Sequence, residues 1–199
     1  RIYSDYPSET SMEEVRDILA ARREHPIEVF TDGAAYIDRR VYEDVKENGS
    51  DYMDASYIVR TRTPVADIYE FLTDNKNRIE NINIHFSSFE DKAKLKKVLA
   101  KVSGITVTSS MPHNLEIGGR TTSKASAIAS LCRILNIEEK NVMAVGDSPN
   151  DEAMIKAAGV GVAMGNAEEE VKACADFITL SNDEDGVAYA VEKFVFEER

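Results

Sequence analysis

The stretch VMAVGDSPNDEAM, residues 142–154, joins an apolar run to a dense group of acidic and amide side chains. The apolar run stops at Gly146, Asp147, Asn150 and Asp151 follow within five residues, and a helical pattern then begins. In open parallel α/β sheets, ligands bind beyond the carboxyl ends of the strands. The stretch therefore predicts a buried strand that delivers polar side chains to a ligand site.

The chemistry of this group favours a metal site over a simple helix cap. Aspartate and serine commonly cap helices, and one acid in a first turn needs no function. Here Asp147 precedes the natural cap position, and Asn150 and Asp151 supply more oxygen atoms than a cap requires. Mg²⁺ prefers carboxylate and water oxygens. The local sequence therefore predicts a Mg²⁺ site at this strand end.

Lys124 is the candidate counter-charge if this group of side chains handles phosphate. It begins a predicted helix directly after the residues TTS, and it lies outside the lysine-rich face of an earlier helix. A lysine in this place can act as a point charge on a phosphoryl oxygen or hold a carboxylate in position. Without the aspartates, an ordinary exposed lysine would be the simpler interpretation.

The order of predicted elements divides the chain into two regions. Residues 1–115 combine helices with strands that we expect to be antiparallel, which is an α+β pattern. From Lys124 on, helices alternate with short strands that are apolar throughout, as is typical of a parallel sheet covered on both faces. We therefore predict an α/β protein in which an α+β domain over 1–115 precedes part of a Rossmann-like parallel-sheet domain over 116–199.

Local patterns in the first region predict individual elements. Two β-prone runs flank Asp32-Gly33, which is a strong hairpin signal. Ile82, Ile84 and Phe86 alternate with polar residues, so we expect them on one side of a strand. The remaining predictions are a helix over 39–47, a strand over 56–60, a helix beginning at Pro64, and strands over 105–110 and 114–117.

The two cysteines lie in apolar helical patterns. Cys132 shares one apolar side of a predicted helix with Ile128, Leu131 and Leu135. Neither Cys132 nor Cys174 belongs to a CxxC pair. We therefore predict reduced core thiols in a cytoplasmic protein.

The composition limits the possible partners. The formal net charge of −12 at pH 7 would repel nucleic-acid phosphates and anionic membrane surfaces alike. No apolar run approaches membrane-spanning length. We therefore expect neither a nucleic-acid nor a membrane partner.

Four motifs occur in order in the second half of the chain: TSK at 122–124, GDSPNDEAM at 146–154, GVAMGNA at 161–167 and TLSNDEDGVA at 179–188. Together they resemble the C-terminal half of haloacid dehalogenase superfamily phosphatases of the Cof type. The earlier stretch EVFTDGAAYI resembles the hairpin of that family's C2-class cap domain. The resemblance covers essentially the whole chain and implies a cap over 1–115 and half of the hydrolase core over 116–199.

The resemblance implies Mg²⁺-dependent phosphate ester hydrolysis through an aspartyl-phosphate. Asp147 matches a Mg²⁺ ligand of the family, and Lys124 matches the lysine that binds the phosphoryl group and steadies the nucleophile. Asn150 matches the asparagine that contacts the substrate phosphate. Asp151 matches the supporting acid that orients Lys124 or a metal-bound water. Ala125 replaces the family's usual glycine, with little expected effect because alanine favours helix.

The family's nucleophile motif, DxDGT, does not occur in these 199 residues. The DG dipeptides are Asp32-Gly33 and Asp185-Gly186, and neither follows an apolar strand with the required upstream aspartate. We therefore expect the chain to be a fragment of a longer protein whose N-terminal segment bears the nucleophile. The fragment alone is expected to be inactive.

For the parent protein, the resemblance implies a small phosphorylated metabolite as substrate. Sugar phosphates are the leading substrate class, and phosphorylated cofactors are the next. We expect a monomer or a weak homo-oligomer. The alternative is a non-catalytic regulatory or binding module derived from such a phosphatase, which would explain the absent nucleophile. Against it, Lys124, Asp147, Asn150 and Asp151 are all present. A third possibility is a phosphotransferase, which would use the same core chemistry as the hydrolase.

Overall fold

The computed structural model describes residues 5–196, which form two compact units divided between Thr122 and Ser123. The predicted boundary at residue 115 falls earlier, inside strand β6 (Asn114–Gly119). That strand pairs on both sides within the sheet of the first unit. The division therefore comes only after the last strand of this sheet.

The first unit is built on a six-stranded sheet in the order β3-β2-β1-β4-β6-β5. Neighbouring strands are antiparallel except for β2 and β3, which are parallel. The other strands are β1 (Ile27–Thr31), β2 (Ala34–Asp38), β3 (Arg62–Val65), β4 (Ile79–His85) and β5 (Ile105–Thr108). The helices are α1 (Glu9–Ala20), α2 (Arg39–Asn48), α3 (Ala55–Thr61), α4 (Ile68–Asn75) and α5 (Phe89–Leu99).

One face of this sheet carries the apolar core of the first unit. Ile82, Ile84 and Phe86 are fully buried there, as their alternation predicted, and they pack with side chains from α1, α4 and α5. Residues between such core positions, including Glu28 on β1 and Asn83 on β4, face away from this core. The second face of the sheet is therefore partly polar, and α2 and α3 pack near its β2 side.

The hairpin predicted at Asp32-Gly33 is confirmed between β1 and β2. Thr31 pairs with Ala34 across the turn. The φ angles of Asp32 and Gly33 are +52° and +75°, so both central residues adopt the left-handed conformation. Tight hairpins of this kind require it, and Asp-Gly supplies it at low cost.

The strand predicted over 56–60 is wrong, because these residues lie in helix α3. Asp54 caps the helix by accepting a hydrogen bond from the backbone nitrogen of Tyr57 at 3.0 Å. Ile58 is buried in a cluster that α2 also lines. Capping and one buried helical position therefore outweigh the β-prone composition of the stretch.

The helix predicted to begin at Pro64 begins later. Pro64 lies in β3, an edge strand, where the missing N–H group is tolerated. Helix α4 starts at Ile68, after Asp67 accepts hydrogen bonds from the backbone nitrogens of Tyr69 and Glu70.

The second unit contains a three-stranded parallel sheet in the order β7-β8-β9, with helices alternating with the strands. This alternation confirms the predicted α/β class. The strands are β7 (Met143–Gly146), β8 (Val160–Ala163) and β9 (Phe177–Ile178). The helices are α6 (Lys124–Leu135), α7 (Glu152–Ala157), α8 (Glu169–Ala173) and α9 (Gly186–Val191), and single 3₁₀ turns span Pro149–Asp151 and Asn182–Glu184.

The predicted apolar side of α6 is only partly buried. Cys132 is buried, but Leu131 and Leu135 are 47% and 56% exposed. Within residues 5–196, β7 pairs with β8 alone, so one edge of the sheet beside Gly146 is free. Every helix in the described range is too short or too polar to cross a bilayer.

Candidate functional site

Strand β7 ends at Gly146 and delivers the acidic group to the carboxyl end of the parallel sheet. A Cβ atom at Gly146 would lie only 2.4 Å from the Cβ of Asp151. Such a distance is far inside van der Waals contact, so any other residue would force the turn apart. Glycine is therefore needed here because it lets the Asp151 side chain fold back against the strand end.

Asp151 is the structural centre of the turn. Its side chain is only 4% exposed, and Oδ2 accepts hydrogen bonds from the backbone nitrogens of Asp147 at 3.0 Å and Ser148 at 3.2 Å. Oδ1 accepts a hydrogen bond from Nζ of Lys124, which also forms an ion pair with it. Asp151 thus fixes the backbone that bears Asp147 and holds the Lys124 ammonium beside it.

Lys124 begins helix α6, where Ser123 and Ser126 form a reciprocal capping box. The lysine side chain is half exposed, so its ammonium group reaches solvent while it remains paired with Asp151. The structure therefore brings together Lys124, Asp147 and Asp151, three residues that the sequence singled out. A charge-assisted pair of this kind presents a fixed cation to an anionic ligand.

Asp147 is exposed, and both of its oxygens accept a hydrogen bond. Ser148 Oγ donates to Oδ1 at 3.1 Å, and Asn166 Nδ2 donates to Oδ2 at 3.2 Å. The backbone nitrogen of Asn182 donates in turn to Oδ1 of Asn166 at 3.0 Å. Because that N–H needs an acceptor, the amide oxygen of Asn166 faces Asn182 and its NH₂ group faces Asp147.

Asn166 and Asn182 belong to the motifs GVAMGNA and TLSNDEDGVA, but the sequence alone predicted no role for either residue. Asn166 follows strand β8, which is the neighbour of β7 in the sheet. Carboxyl ends of adjacent parallel strands meet at the same edge, so a polar residue shortly after β8 was the available signal.

Asn150 lies in the 3₁₀ turn between Asp147 and Asp151. Its Oδ1 atom is buried and has no hydrogen-bond partner among the described residues. Leaving a buried acceptor unpaired costs about 1–3 kcal/mol. A polar atom kept at such a cost beside Asp147 is suited to contact a bound ligand.

The donor set fits Mg²⁺ with one carboxylate from this chain. Asp151 is buried, and its oxygens are engaged by Lys124 and by backbone N–H groups. Asp147 is exposed and accepts one hydrogen bond at each oxygen, so each of its oxygens keeps a lone pair for a metal ion. In residues 5–196 no three His, Cys, Asp or Glu side chains gather closely enough to hold a metal ion by themselves. Mg²⁺ commonly takes one or two carboxylates and completes its shell with water and phosphate oxygens.

Comparisons with known proteins show the family to which the chain belongs. A family model described as haloacid dehalogenase-like hydrolase matches residues 1–191. Phosphatase YwpJ of Bacillus subtilis is 45% identical over 108 residues, which are 54% of this chain and 38% of that protein. The 5-amino-6-(5-phospho-D-ribitylamino)uracil phosphatase YcsE of the same organism is 50% identical over 97 residues, which are 49% of this chain and 39% of that protein.

The fold also resembles a solved haloacid dehalogenase-like hydrolase from B. subtilis. That structure matches with a TM-score of 0.73 and 31% sequence identity, over 92% of this chain and 70% of the solved chain. The matches to the two curated phosphatases each span less than half of those proteins. The family model covers nearly the whole length of this chain, and the chain therefore belongs to the haloacid dehalogenase-like hydrolase family.

Proposed function

We propose that this chain forms the phosphate-binding and metal-binding part of a Mg²⁺-dependent phosphatase of small phosphorylated metabolites. The observation that carries the proposal is the placement of Lys124 and Asp147 at one strand end, joined through the buried carboxylate of Asp151. The curated relatives are named as phosphatases, which supports the same reaction class. The free cysteines favour a reducing compartment, the cytoplasm, for this activity.

Each side chain has a separate task in this proposal. Lys124 binds a phosphoryl oxygen through the ammonium that Asp151 holds in place. Asn150 contacts the same phosphate by donating a hydrogen bond from its NH₂ group, and Asp147 holds the metal. Bound Mg²⁺ supplies positive charge that offsets the charge of the transferring phosphoryl group.

The attacking carboxylate is proposed to come from outside these 199 residues. No DxDGT sequence occurs within them, and neither Asp32 nor Asp185 lies in the described acidic turn. The free edge of β7 and the exposed Leu131 and Leu135 of α6 are surfaces on which a further strand and helix would pack. The attacking group would then reach phosphorus from the strand next to β7.

The experiment that tests the function uses the natural gene product that carries this sequence. With 4-nitrophenyl phosphate as substrate, we expect turnover that needs Mg²⁺, stops on addition of a chelator and returns when Mg²⁺ is restored. Asp147→Asn should remove this activation, because the amide retains the size of the side chain and loses its charge. Turnover that is insensitive to the chelator would overturn the metal assignment. A complete lack of turnover with phosphate esters would favour the non-catalytic binding module.

The substrate class is proposed to be sugar phosphates or phosphorylated cofactors. The relative YcsE is named as a 5-amino-6-(5-phospho-D-ribitylamino)uracil phosphatase, which supports a small phosphorylated metabolite as substrate. A panel of sugar phosphates, flavin mononucleotide and pyridoxal phosphate would rank these substrates by kcat/KM. A preference for phosphoproteins over the whole panel would contradict this part of the proposal.

Asn166 is expected to affect metal binding without touching phosphate. Asn166→Ala removes the hydrogen bond that orients Oδ2 of Asp147. Loss of such an outer contact commonly weakens metal binding by about 10–100-fold. Mg²⁺ affinity measured by calorimetry without substrate should fall accordingly. Asn48→Ala is the matched control, since Asn48 donates a 2.8 Å hydrogen bond to Asp44 on exposed helix α2. Equal affinities for the two variants would show that Asn166 does not position Asp147.

A further inference from the structure

A second group of polar side chains lies on the face of the first unit's sheet that is opposite its apolar core. Glu28, on β1, has only 1% of its side chain exposed. It pairs with the side chain of Arg62, and its Oε2 atom accepts hydrogen bonds at 2.8 Å from Asn83 Nδ2 and His85 Nε2. Arg62 is itself 8% exposed and lies over the ring of Tyr57. These charges are buried and paired, and the proposed phosphatase chemistry uses none of them.

The Glu28 carboxylate fixes the proton on His85. Burial raises the pKa of Glu28, but hydrogen bonds and charge from His85 and Arg62 outweigh burial and hold that pKa at about 2. An ionised carboxylate can only accept hydrogen bonds, so Nε2 of His85 must carry the hydrogen. In the neutral ring, Nδ1 is then an acceptor, and the hydrogen-bond contacts of the His85 side chain within residues 5–196 are all made at Nε2.

A second imidazole, that of His113, is oriented in the same way. Its Nδ1 lies 2.9 Å from the backbone oxygen of Phe86. A carbonyl oxygen can only accept, so Nδ1 carries the hydrogen and Nε2 is the acceptor in the neutral ring. His85 and His113 thus each have one ring nitrogen that can accept a hydrogen bond from a ligand.

Both histidines line a cavity of about 330 Å³ that belongs entirely to the first unit. Asp51 and Asp54 add carboxylates to its wall, and Met53 and Met111 add apolar surface. The backbone nitrogen of Tyr57 lowers the pKa of Asp54 and keeps that carboxyl group ionised. The cavity therefore combines several acceptors with apolar surface, and its carboxylates repel anions.

The wall formed by residues 110–114 is fixed by side-chain hydrogen bonds. Asn114 Oδ1 accepts from the backbone nitrogens of Ser110 at 3.2 Å and Met111 at 2.9 Å. Lys92 Nζ, from α5, donates to the backbone oxygen of Pro112 at 2.7 Å. The acceptors of the cavity are therefore held in place before any ligand arrives, which lowers the entropic cost of binding.

We infer that this cavity is a binding site for an uncharged, polyhydroxylated small molecule, whose hydroxyl groups donate hydrogen bonds to His85 and His113. Hydroxyl groups can donate hydrogen bonds to the acceptor nitrogens of the two rings and to the carboxylates, and the carbon chain can pack against the two methionines. An anionic group would meet Asp51 and Asp54. The inference concerns the first unit alone and does not rest on the proposed phosphatase function.

The test titrates the natural gene product that carries this sequence with ribitol, myo-inositol and glucose, and separately with sodium sulfate. Long-range ¹H–¹⁵N spectra of the histidine rings report which nitrogen carries the hydrogen. We expect the resonances of Nδ1 in His85 and Nε2 in His113 to move with at least one polyol and to stay unchanged with sulfate. A response to sulfate alone, or no response to any of the three polyols, would overturn the inference.

Two variants and one control keep the inference testable without disturbing the buried Glu28 pair. Met111 is 65% exposed, so Met111→Trp should fill the cavity mouth and abolish the polyol response. Lys97→Trp, on an exposed position of α5 away from the cavity, is the matched control and should bind as the parent chain does. His113→Phe removes one acceptor and should weaken binding about tenfold. Unchanged polyol binding in Met111→Trp would show that the ligand binds elsewhere.

Discussion

Replacing Lys124 with alanine is expected to lower the kcat of the natural gene product by at least about a hundredfold, because one preorganised charge on a transferring group commonly contributes that much. Nζ of Lys124 is held by the buried carboxylate of Asp151 and still reaches solvent. Its removal leaves the developing charge of the phosphoryl group without this cation. Steady-state hydrolysis of 4-nitrophenyl phosphate at saturating Mg²⁺ measures the loss.

The control for this prediction is Lys156→Ala. Lys156 also pairs with an acidic side chain, that of Glu152 at 2.9 Å, but on an exposed turn of α7. It should retain full turnover. Thermal unfolding of both variants separates catalysis from stability, since Lys124→Ala also leaves Asp151 without its cation. Full turnover in Lys124→Ala, or the same loss in Lys156→Ala, would contradict the role of Lys124.

Replacing Glu28 with alanine is expected to destabilise the first unit by about 3–5 kcal/mol, which is the usual cost of removing one partner of a buried ion pair. Arg62 would remain buried without its carboxylate, and His85 would lose the acceptor for Nε2. Urea unfolding followed by tyrosine fluorescence measures the change. This signal reports the first unit because every tyrosine except Tyr189 precedes residue 122.

The same pair predicts how stability depends on pH. The pKa of Glu28 is about 2 in the folded chain, whereas the ordinary pKa of a glutamate side chain is 4.5. A depressed folded-state pKa adds stability above the unfolded value, and this stability is lost as pH falls from about 4.5 towards 2. The shift corresponds to about 3 kcal/mol. Glu28→Gln should remove this part of the acid dependence.

Glu43→Gln is the matched control for the acid dependence, because Glu43 forms an exposed pair with Lys46 on α2. Exposed pairs contribute about 0–1 kcal/mol, so this variant should unfold as the parent chain does at every pH. If Glu28→Gln kept the acid dependence of the parent chain, another carboxyl group would have to be responsible for it.

The sequence predicted the elements whose signals are local. Asp32-Gly33 specified a hairpin because few other dipeptides accept two positive φ angles, and the alternation of Ile82, Ile84 and Phe86 specified a buried strand face. Prediction failed over 56–60 and at Pro64, where β-prone composition and a proline signal gave way to the Asp54 and Asp67 caps. A helix cap contributes about 1 kcal/mol, which is similar to the differences in secondary-structure propensity between residues. Composition alone therefore does not decide whether such a stretch forms a helix or a strand.

By itself, the sequence determined that an acidic turn follows a parallel strand and that the chain resembles a phosphatase family. Only the tertiary structure decided that Lys124 pairs with Asp151, that Asn166 orients Asp147, and that Glu28 fixes the tautomer of His85. These partners lie 27, 19 and 57 residues apart. Hydrogen bonds require atoms within about 3 Å, and only strand order and register bring such distant residues to that separation.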